Sequence, residues 1–239
     1  MIILIPKETQ NSETRVAASP DTVKKLVGYG CEVHVEKGAG NASSITDEAF
    51  VASGAKLATA KSAKSADVVL KVLRPTATEA KKFKKGALVL AMMDPHGNEK
   101  DIKAMADAGL SAFSMEFMPR ITRAQVMDVL SSQANLAGYQ AVIEGAAEYD
   151  KALPMMMTAA GTVPAAKCFV MGAGVAGLQA IATARRLGAV VTATDVRPAA
   201  KEQVESLGAK FVAVEDEEFK QAETAGGYAK EMSKEYQAK

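Results

Sequence analysis

Cysteine and histidine are scarce in this sequence, which has two of each. Cys31 and Cys168 lie in apolar runs, so we interpret them as reduced core thiols of a cytosolic-type compartment. His34 and His96 have no cysteine or histidine neighbour at ligand spacing, so the sequence predicts no metal site.

The sequence also has no excess of positive or negative charge and no long apolar run. The formal net charge is +1, from 29 Lys and Arg against 28 Asp and Glu, which gives no reason to expect nucleic acid or an anionic membrane as a partner. No stretch approaches the roughly 18 apolar residues of a membrane-spanning helix. The N-terminus has no basic region before its apolar run, so we expect no signal peptide and no direct membrane span.

Strand and helix patterns alternate along the N-terminal half. Apolar or alternating runs predict strands at Ile2–Ile5, Cys31–Lys37, Asp67–Leu73, Ala87–Met93 and Leu110–Met115. Helix signals separate them, beginning at the capping residues Ser19 and Thr46 and recurring near Thr78–Lys85 and Glu99–Ala108. This alternation predicts a mostly parallel α/β sheet.

A long helix pattern follows, from about Arg123 to Tyr149, with no proline inside it. At about 1.5 Å per residue it would span about 40 Å, more than one small domain needs. We interpret it as the connector between an N-terminal α/β domain, residues 1–132, and a second α/β domain, residues 133–239.

The second domain contains a glycine-rich segment in the context of a dinucleotide-binding turn. A predicted strand, a Gly-x-Gly-x-x-Gly turn, a predicted helix and a second strand ending in an acid follow one another at Lys167–Met171, Gly172–Gly177, Leu178–Leu187 and Ala189–Asp195. The acid stands about 20 residues beyond the glycines, which is the spacing of a Rossmann-type nucleotide site.

Each residue of this motif has a physical role. Gly172 permits a tight turn, Gly174 lets the backbone approach a pyrophosphate, and Gly177 lets the helix pack close to the sheet. The helix N-terminus offers N–H groups and a positive dipole to phosphates. Asp195 would accept hydrogen bonds from ribose hydroxyls and repel a 2′-phosphate, which favours NAD(H) over NADP(H), while Arg197 would soften this discrimination. The structural alternatives are plain turn chemistry for the glycines and a solvated strand end for Asp195.

Four segments carry a resemblance that covers essentially the whole chain. Ile5–Pro20 and Val170–Ala180 are similar to two signatures shared by alanine dehydrogenases and the transhydrogenase α subunit. Pro119–Tyr139 and Met155–Pro164 resemble transhydrogenase in particular. The sequence therefore resembles the alanine dehydrogenase/transhydrogenase family, and within it the NAD(H)-binding component of proton-translocating NAD(P) transhydrogenase.

The resemblance implies a set of site residues. Those that match family residues beside the nicotinamide are Arg120, Gln125, Asp128 and Ser131; those that match the rest of the nucleotide site are Gly172, Gly174, Val175, Gly177, Asp195, Val196, Arg197 and, on a mobile loop, Tyr228. Gln125, Asp128 and Ser131 are also spaced to share one helix face. Two structural alternatives stay open, since Thr122 and Gln125 form a capping box and Asp128 suits the first turn of a helix.

The function implied by the resemblance is hydride transfer between NAD(H) on this chain and NADP(H) on a partner component, coupled to protons by a membrane component. We expect a homodimer on the cytoplasmic side, peripheral to the inner (plasma) membrane through its complex. The implied fold is two parallel-sheet, Rossmann-like domains separated by a cleft. The second is only partly present, because the sequence stops at Lys239, soon after Tyr228.

Two alternatives remain at this point. An alanine dehydrogenase would use Arg15 and Lys71, which match residues that hold the substrate carboxylate, and needs a proton acceptor, for which His96 is the loop candidate. A non-catalytic, truncated module would fold but hold a dinucleotide poorly.

Overall fold

The computed structural model describes residues 1–10, 12–119, 121–222 and 230–238. The chain divides into two compact units, Met1–Asp128 and Val129–Lys239. Each unit has its own parallel sheet, so the predicted α/β class with two parallel sheets is confirmed. The division follows Asp128, whereas the sequence pattern placed the domain boundary after residue 132.

The first unit is built on a six-stranded parallel sheet. Its strands are β1 (Ile2–Ile5), β2 (Glu32–Val35), β3 (Lys56–Leu57), β4 (Val68–Leu73), β5 (Leu88–Met92) and β6 (Ser111–Ser114). They are arranged in the order β3-β2-β1-β4-β5-β6. This is the order of a doubly wound sheet, whose topological switch point lies between β1 and β4.

The helices of the first unit begin where the sequence provides caps. They are α1 (Pro20–Gly28), α2 (Asp47–Ala52), α3 (Ser62–Ser65), α4 (Ala77–Ala80) and α5 (Glu99–Asp107). As predicted, the Ser19 hydroxyl accepts the Thr22 N–H at the start of α1, and the Thr46 hydroxyl accepts the Ala49 N–H at the start of α2. Helix α4 ends well before the predicted Lys85, since the lysines at 81, 84 and 85 would stack like charges along one helix face.

Side chains on successive residues of a strand point to opposite faces, and the first unit buries both faces of its sheet. Ile3 and Ile5 of β1 pack into one core cluster with Phe50. Leu4 packs into another cluster with Val89 and other residues on the opposite face.

The second unit begins with a long helix and a hairpin and continues as a half-sheet. Its elements are α6 (Val129–Glu148), β7 (Met156–Thr158), β8 (Gly161–Val163), β9 (Lys167–Met171), α7 (Val175–Arg186), β10 (Val190–Thr194), α8 (Ala200–Ser206), β11 (Lys210–Phe211), α9 (Glu217–Lys220) and α10 (Lys234–Gln237). β7 and β8 pair antiparallel, while β11, β10 and β9 form a parallel sheet in that order.

The predicted helix from Arg123 is wrong at its start. Thr122–Met127 is a 3-10 helix, and Asp128 that follows it is extended, with φ −77° and ψ 92°. β-Branched residues such as Thr122 and Val126 lose side-chain freedom in a helix, and an aspartate side chain competes for backbone groups. The α-helix therefore starts at Val129 and lies wholly in the second unit.

This start has two consequences for the predicted site. Gln125, Asp128 and Ser131 do not share one α-helix face, because only Ser131 is in the α-helix. The predicted capping box is also wrong, since Ile121 is the N-cap and, among the described residues, no side chain caps the 3-10 helix.

Two further observations concern only the residues that the structure describes. None of their helices is long and apolar enough to cross a bilayer. They also contain no group of three or more His, Cys, Asp and Glu arranged to hold a metal ion.

Candidate functional site

The turn between β9 and α7 has the geometry of a phosphate-binding turn. Gly172 has a φ of 93°, in the left-handed region that favours glycine, and its N–H donates to the Thr194 carbonyl at 2.8 Å. Gly174 is the N-cap of α7, and in the described part of the chain no side chain caps it. The first-turn N–H groups after Gly174 therefore face outward from the helix end, where an anion is stabilised by them and by the helix dipole.

Gly174 and Gly177 differ in what surrounds them. A Cβ at Gly174 would meet none of the described atoms within 4 Å, so the backbone is open on that side. A Cβ at Gly177 would lie 1.8 Å from the Gly172 carbonyl oxygen, so a side chain there would push α7 away from the turn. These are the close approach and the close packing that the sequence motif predicts for the two positions, and their role in nucleotide binding stays a prediction.

Asp195 at the end of β10 is bound to the glycine turn itself. Its Oδ2 accepts the Ala173 N–H at 2.7 Å, and its Oδ1 accepts the Arg197 backbone N–H at 2.8 Å. The Asp195 side chain is only 7% exposed. Burial raises the pKa of Asp195, but hydrogen bonds from Arg197 and Ala173 outweigh it and hold the pKa below its usual value. The carboxylate is therefore charged and fixed beside the turn.

A mainly apolar cavity of about 430 Å³ lies beside Asp195. Its lining includes Val196, which follows Asp195, and Val212 and Val214 after β11. Tyr236 also lines it and donates its hydroxyl to the Val214 carbonyl at 2.8 Å. A cavity of this size and character suits a flat, weakly polar ring next to a polar anchor.

The residues assigned to the nicotinamide side belong to both units or lie outside the described residues. Arg120 and Tyr228 lie outside the described residues. Gln125 and Asp128 belong to the first unit, and Ser131 stands in the first turn of α6 in the second. Val175 is the first residue of α7 and is close in sequence to the glycines of the turn.

Lys71, inside β4, forms a buried ion-pair cluster. Its ammonium lies 3.0 Å from a Glu8 oxygen and 3.3 Å from a Glu79 oxygen, and its side chain is 1% exposed. The other Glu8 oxygen accepts the Val72 N–H at 2.7 Å. Sequence analysis missed both carboxylates, because Glu8 is 63 residues and Glu79 is 8 residues away from Lys71, and no spacing rule connects either of them to it.

The other two residues suggested for an amino-acid substrate are also engaged. The Arg15 guanidinium binds the Glu13 carboxylate in a fork, with Nε 2.8 Å from one oxygen and Nη2 2.7 Å from the other. His96 packs its ring against Phe117, with ring centroids 5.9 Å apart. Lys71 and Arg15 are thus both paired with carboxylates of the chain itself.

Comparison with known families covers both units of this arrangement. The model of the alanine dehydrogenase/PNT N-terminal domain matches residues 4–137, and that of the alanine dehydrogenase/PNT C-terminal domain matches residues 141–235. The chain belongs to the alanine dehydrogenase/PNT family. The glycine turn, Asp195 and the cavity all lie within the segment that matches the C-terminal domain, apart from the cavity residues Tyr236 and Gln237.

Individual members of the alanine dehydrogenase/PNT family differ clearly in their similarity to the chain. An NAD(P) transhydrogenase subunit alpha of Rhodospirillum rubrum is 58% identical over 246 residues, covering 100% of this chain and 64% of that protein. The crystal structure of transhydrogenase from Sinorhizobium meliloti superposes with a TM-score of 0.87 at 68% identity, covering 89% of this chain and 64% of that one. Alanine dehydrogenase of Methanococcus maripaludis is 34% identical, covering 82% of this chain and 53% of its own length. The chain thus spans less than two thirds of the relatives that it matches.

Proposed function

We propose that the protein binds NAD(H) and exchanges hydride with NADP(H) held on a partner component, as the NAD(H) component of a proton-translocating transhydrogenase. The observation that carries the proposal is the Asp195 carboxylate fixed to the Ala173 N–H inside a glycine turn. Support for the reaction comes from the Rhodospirillum rubrum relative, which is 58% identical and is named as an NAD(P) transhydrogenase subunit alpha.

The bound dinucleotide would lie along the carboxyl ends of β9, β10 and β11. The pyrophosphate would receive N–H groups of the first turn of α7. The adenosine ribose would meet Asp195, and the adenine ring would enter the cavity lined by Val196, Val212 and Val214. Because the Asp195 carboxylate would stand where NADP(H) carries its 2′-phosphate, NAD(H) would be preferred.

The reaction demands positioning more than acid–base chemistry. A hydride passes directly between two nicotinamide C4 atoms, so the rings must be held about 3–3.5 Å apart and kept away from water. We assign Arg120 to orienting the nicotinamide end and Gln125, Asp128 and Ser131 to holding its ring and carboxamide by hydrogen bonds. Tyr228 would cover the bound nucleotide.

Alanine dehydrogenase activity is less well supported. Lys71 and Arg15 are neutralised by Glu8, Glu79 and Glu13, so binding a substrate carboxylate would require breaking ion pairs, one of them buried. The alanine dehydrogenase relative is also less similar, at 34% identity, than the transhydrogenase relative, at 58%.

The proposal implies partners and a location. The partners are an NADP(H)-binding component and a membrane component, together with a second copy of this chain in a homodimer. The complex would hold the protein on the cytoplasmic side, peripheral to the inner (plasma) membrane.

Two measurements test the function. Titration with NADH and NADPH, followed by nucleotide fluorescence, should show clearly tighter binding of NADH. With an NADP(H)-binding partner added, Arg120→Ala should lower the hydride-transfer rate at least ~10-fold, whereas Arg123→Ala, the matched control, should not. Equal affinities for the two nucleotides would contradict the assignment of Asp195. NADH binding without any transfer would instead favour a non-catalytic binding module.

A further inference from the structure

Helix α6 packs along α7, and its backbone comes closest to α7 at a glycine. The structure describes all 20 residues of α6, and Gly138 is the only one of them that is buried. A Cβ at this position would lie 2.0 Å from the Ala176 carbonyl oxygen and 3.0 Å from the Ala176 Cα. The backbones of the two helices are therefore in direct contact, and any side chain at 138 must push them apart.

The contact is made to a special part of α7. Ala176 lies in the first helical turn, between Val175 and Gly177, where the N–H groups proposed for the pyrophosphate are. The same turn also packs against the Gly172 carbonyl at Gly177, where an added Cβ would lie 1.8 Å from that oxygen. The first turn of α7 thus makes two close backbone contacts, each at a glycine, Gly138 or Gly177, where an added Cβ would clash.

Neighbouring side chains of α6 fix the same crossing. Asn135, one turn before Gly138, donates its side-chain N–H to the Gln179 side chain of α7 at 3.2 Å. Val142, one turn after Gly138, packs against the hydrophobic core of the second unit. Asn135, Gly138 and Val142 recur every three or four residues, so they lie on one face of α6.

We infer that Gly138 is a positioning residue for the dinucleotide, because its contact with Ala176 fixes the turn whose N–H groups face the pyrophosphate. The inference rests on the proposed function. The same helix carries Ser131 two turns before Gly138, about 10 Å along the axis. One rigid helix therefore sets the distance between the pyrophosphate turn and a residue assigned to the nicotinamide.

The test compares two glycines of one helix. Gly138→Ala should weaken NADH and ADP-ribose binding at least ~10-fold, while adenosine, which lacks the phosphates, should bind within about twofold of the parent. Gly145→Ala is the matched control, since a Cβ there would meet none of the described atoms within 4 Å. It should leave all three affinities at the parental level. A milder variant, Asn135→Ala, should weaken ADP-ribose about two- to threefold without adding a clash.

Hydrogen exchange tests the same contact in the absence of any nucleotide. In Gly138→Ala the amides of Gly172, Ala173 and Leu178 should exchange faster than in the parent, and in Gly145→Ala they should not. Unchanged exchange together with unchanged ADP-ribose affinity would overturn the inference. An equal loss of ADP-ribose and adenosine binding would also overturn it, since that pattern indicates general unfolding. If the parent protein binds no NADH, the proposed function fails, and the exchange rates alone decide whether Gly138 fixes the turn.

Discussion

The guanidinium of Arg197 lies on both oxygens of the Asp195 carboxylate, with Nε 3.0 Å from Oδ1 and Nη2 3.0 Å from Oδ2. Backbone N–H groups of Ala173 and Arg197 occupy one further position on each oxygen. A carboxylate has about four acceptor positions, so Asp195 is fully engaged by the chain. A ribose hydroxyl must therefore replace a bond to Arg197 before Asp195 can accept from it.

Asp195→Asn should narrow the preference for NADH over NADPH by at least ~10-fold, about 1.4 kcal/mol. The amide keeps an oxygen for the Ala173 N–H but loses the charge that repels a 2′-phosphate. The measurement is a pair of fluorescence titrations. Glu215→Gln, which alters an exposed acid paired with Lys201 at 2.6 Å, is the control and should leave the preference unchanged.

Arg197→Ala should widen the same preference. Arg197 brings a positive charge next to the carboxylate, and that charge attracts a 2′-phosphate. Removing Arg197 should weaken NADPH binding several-fold more than NADH binding. NADPH loses the attraction of its 2′-phosphate to the guanidinium, whereas the ribose of NADH no longer competes with the guanidinium for Asp195. A narrower preference in this variant would show that Arg197 helps to exclude NADPH.

Arg197→Ala should also make the protein less resistant to acid. The pKa of Asp195 is lowered in the folded state, so its carboxylate stabilises the fold at pH values above the unfolded pKa. This stabilisation is lost as the pH falls through the folded pKa. Removing Arg197 brings the folded pKa back towards the unfolded value. The acid-unfolding midpoint, followed by circular dichroism, should move to higher pH, whereas Arg186→Ala at the exposed end of α7 should not move it.

Lys71→Met should destabilise the first unit by about 3–5 kcal/mol, because it leaves Glu8 and Glu79 without their buried cation. Urea unfolding of the variant and the parent measures the difference. Lys84→Met is the control, since its ion pair with Asp67 is about half exposed and should contribute less than about 1 kcal/mol. Similar losses from both variants would show that burial of the cluster is unimportant.

Much of the fold could be predicted because local signals agree with it. The bounds of β1 and β9 match short apolar runs that end at clear turn residues. Ser19 caps α1 because its hydroxyl can accept an N–H of the first turn. The β7–β8 hairpin gave no such signal, since all six of its strand residues are exposed and show no alternation of buried and exposed positions. The start of α6 was misplaced because spacing alone does not distinguish a 3-10 turn from an α-helix.

The candidate site divides in the same way. The glycine turn and Asp195 could be predicted, because backbone conformation and sequence spacing define them. The sequence does not reveal Gly138 as a contact residue, since its partner is the backbone of Ala176 and leaves no side-chain pattern. The Lys71 cluster was also missed, because folding alone brings its carboxylates together.

Both units have parallel strands connected by helices, yet they differ at the carboxyl ends of the strands, where such a sheet binds its ligand. In the first unit that place lies beside the ends of β1 and β4. There Glu8 reaches from the chain after β1 to the Lys71 ammonium and the Val72 N–H of β4. In the first unit, the Glu8 carboxylate of the chain itself therefore lies where such a sheet would bind a ligand. Grafting a glycine-rich turn in place of residues 6–8 would remove Glu8 and leave Lys71 with only one of its two carboxylates, so a nucleotide turn could not simply be copied from one half of the protein to the other.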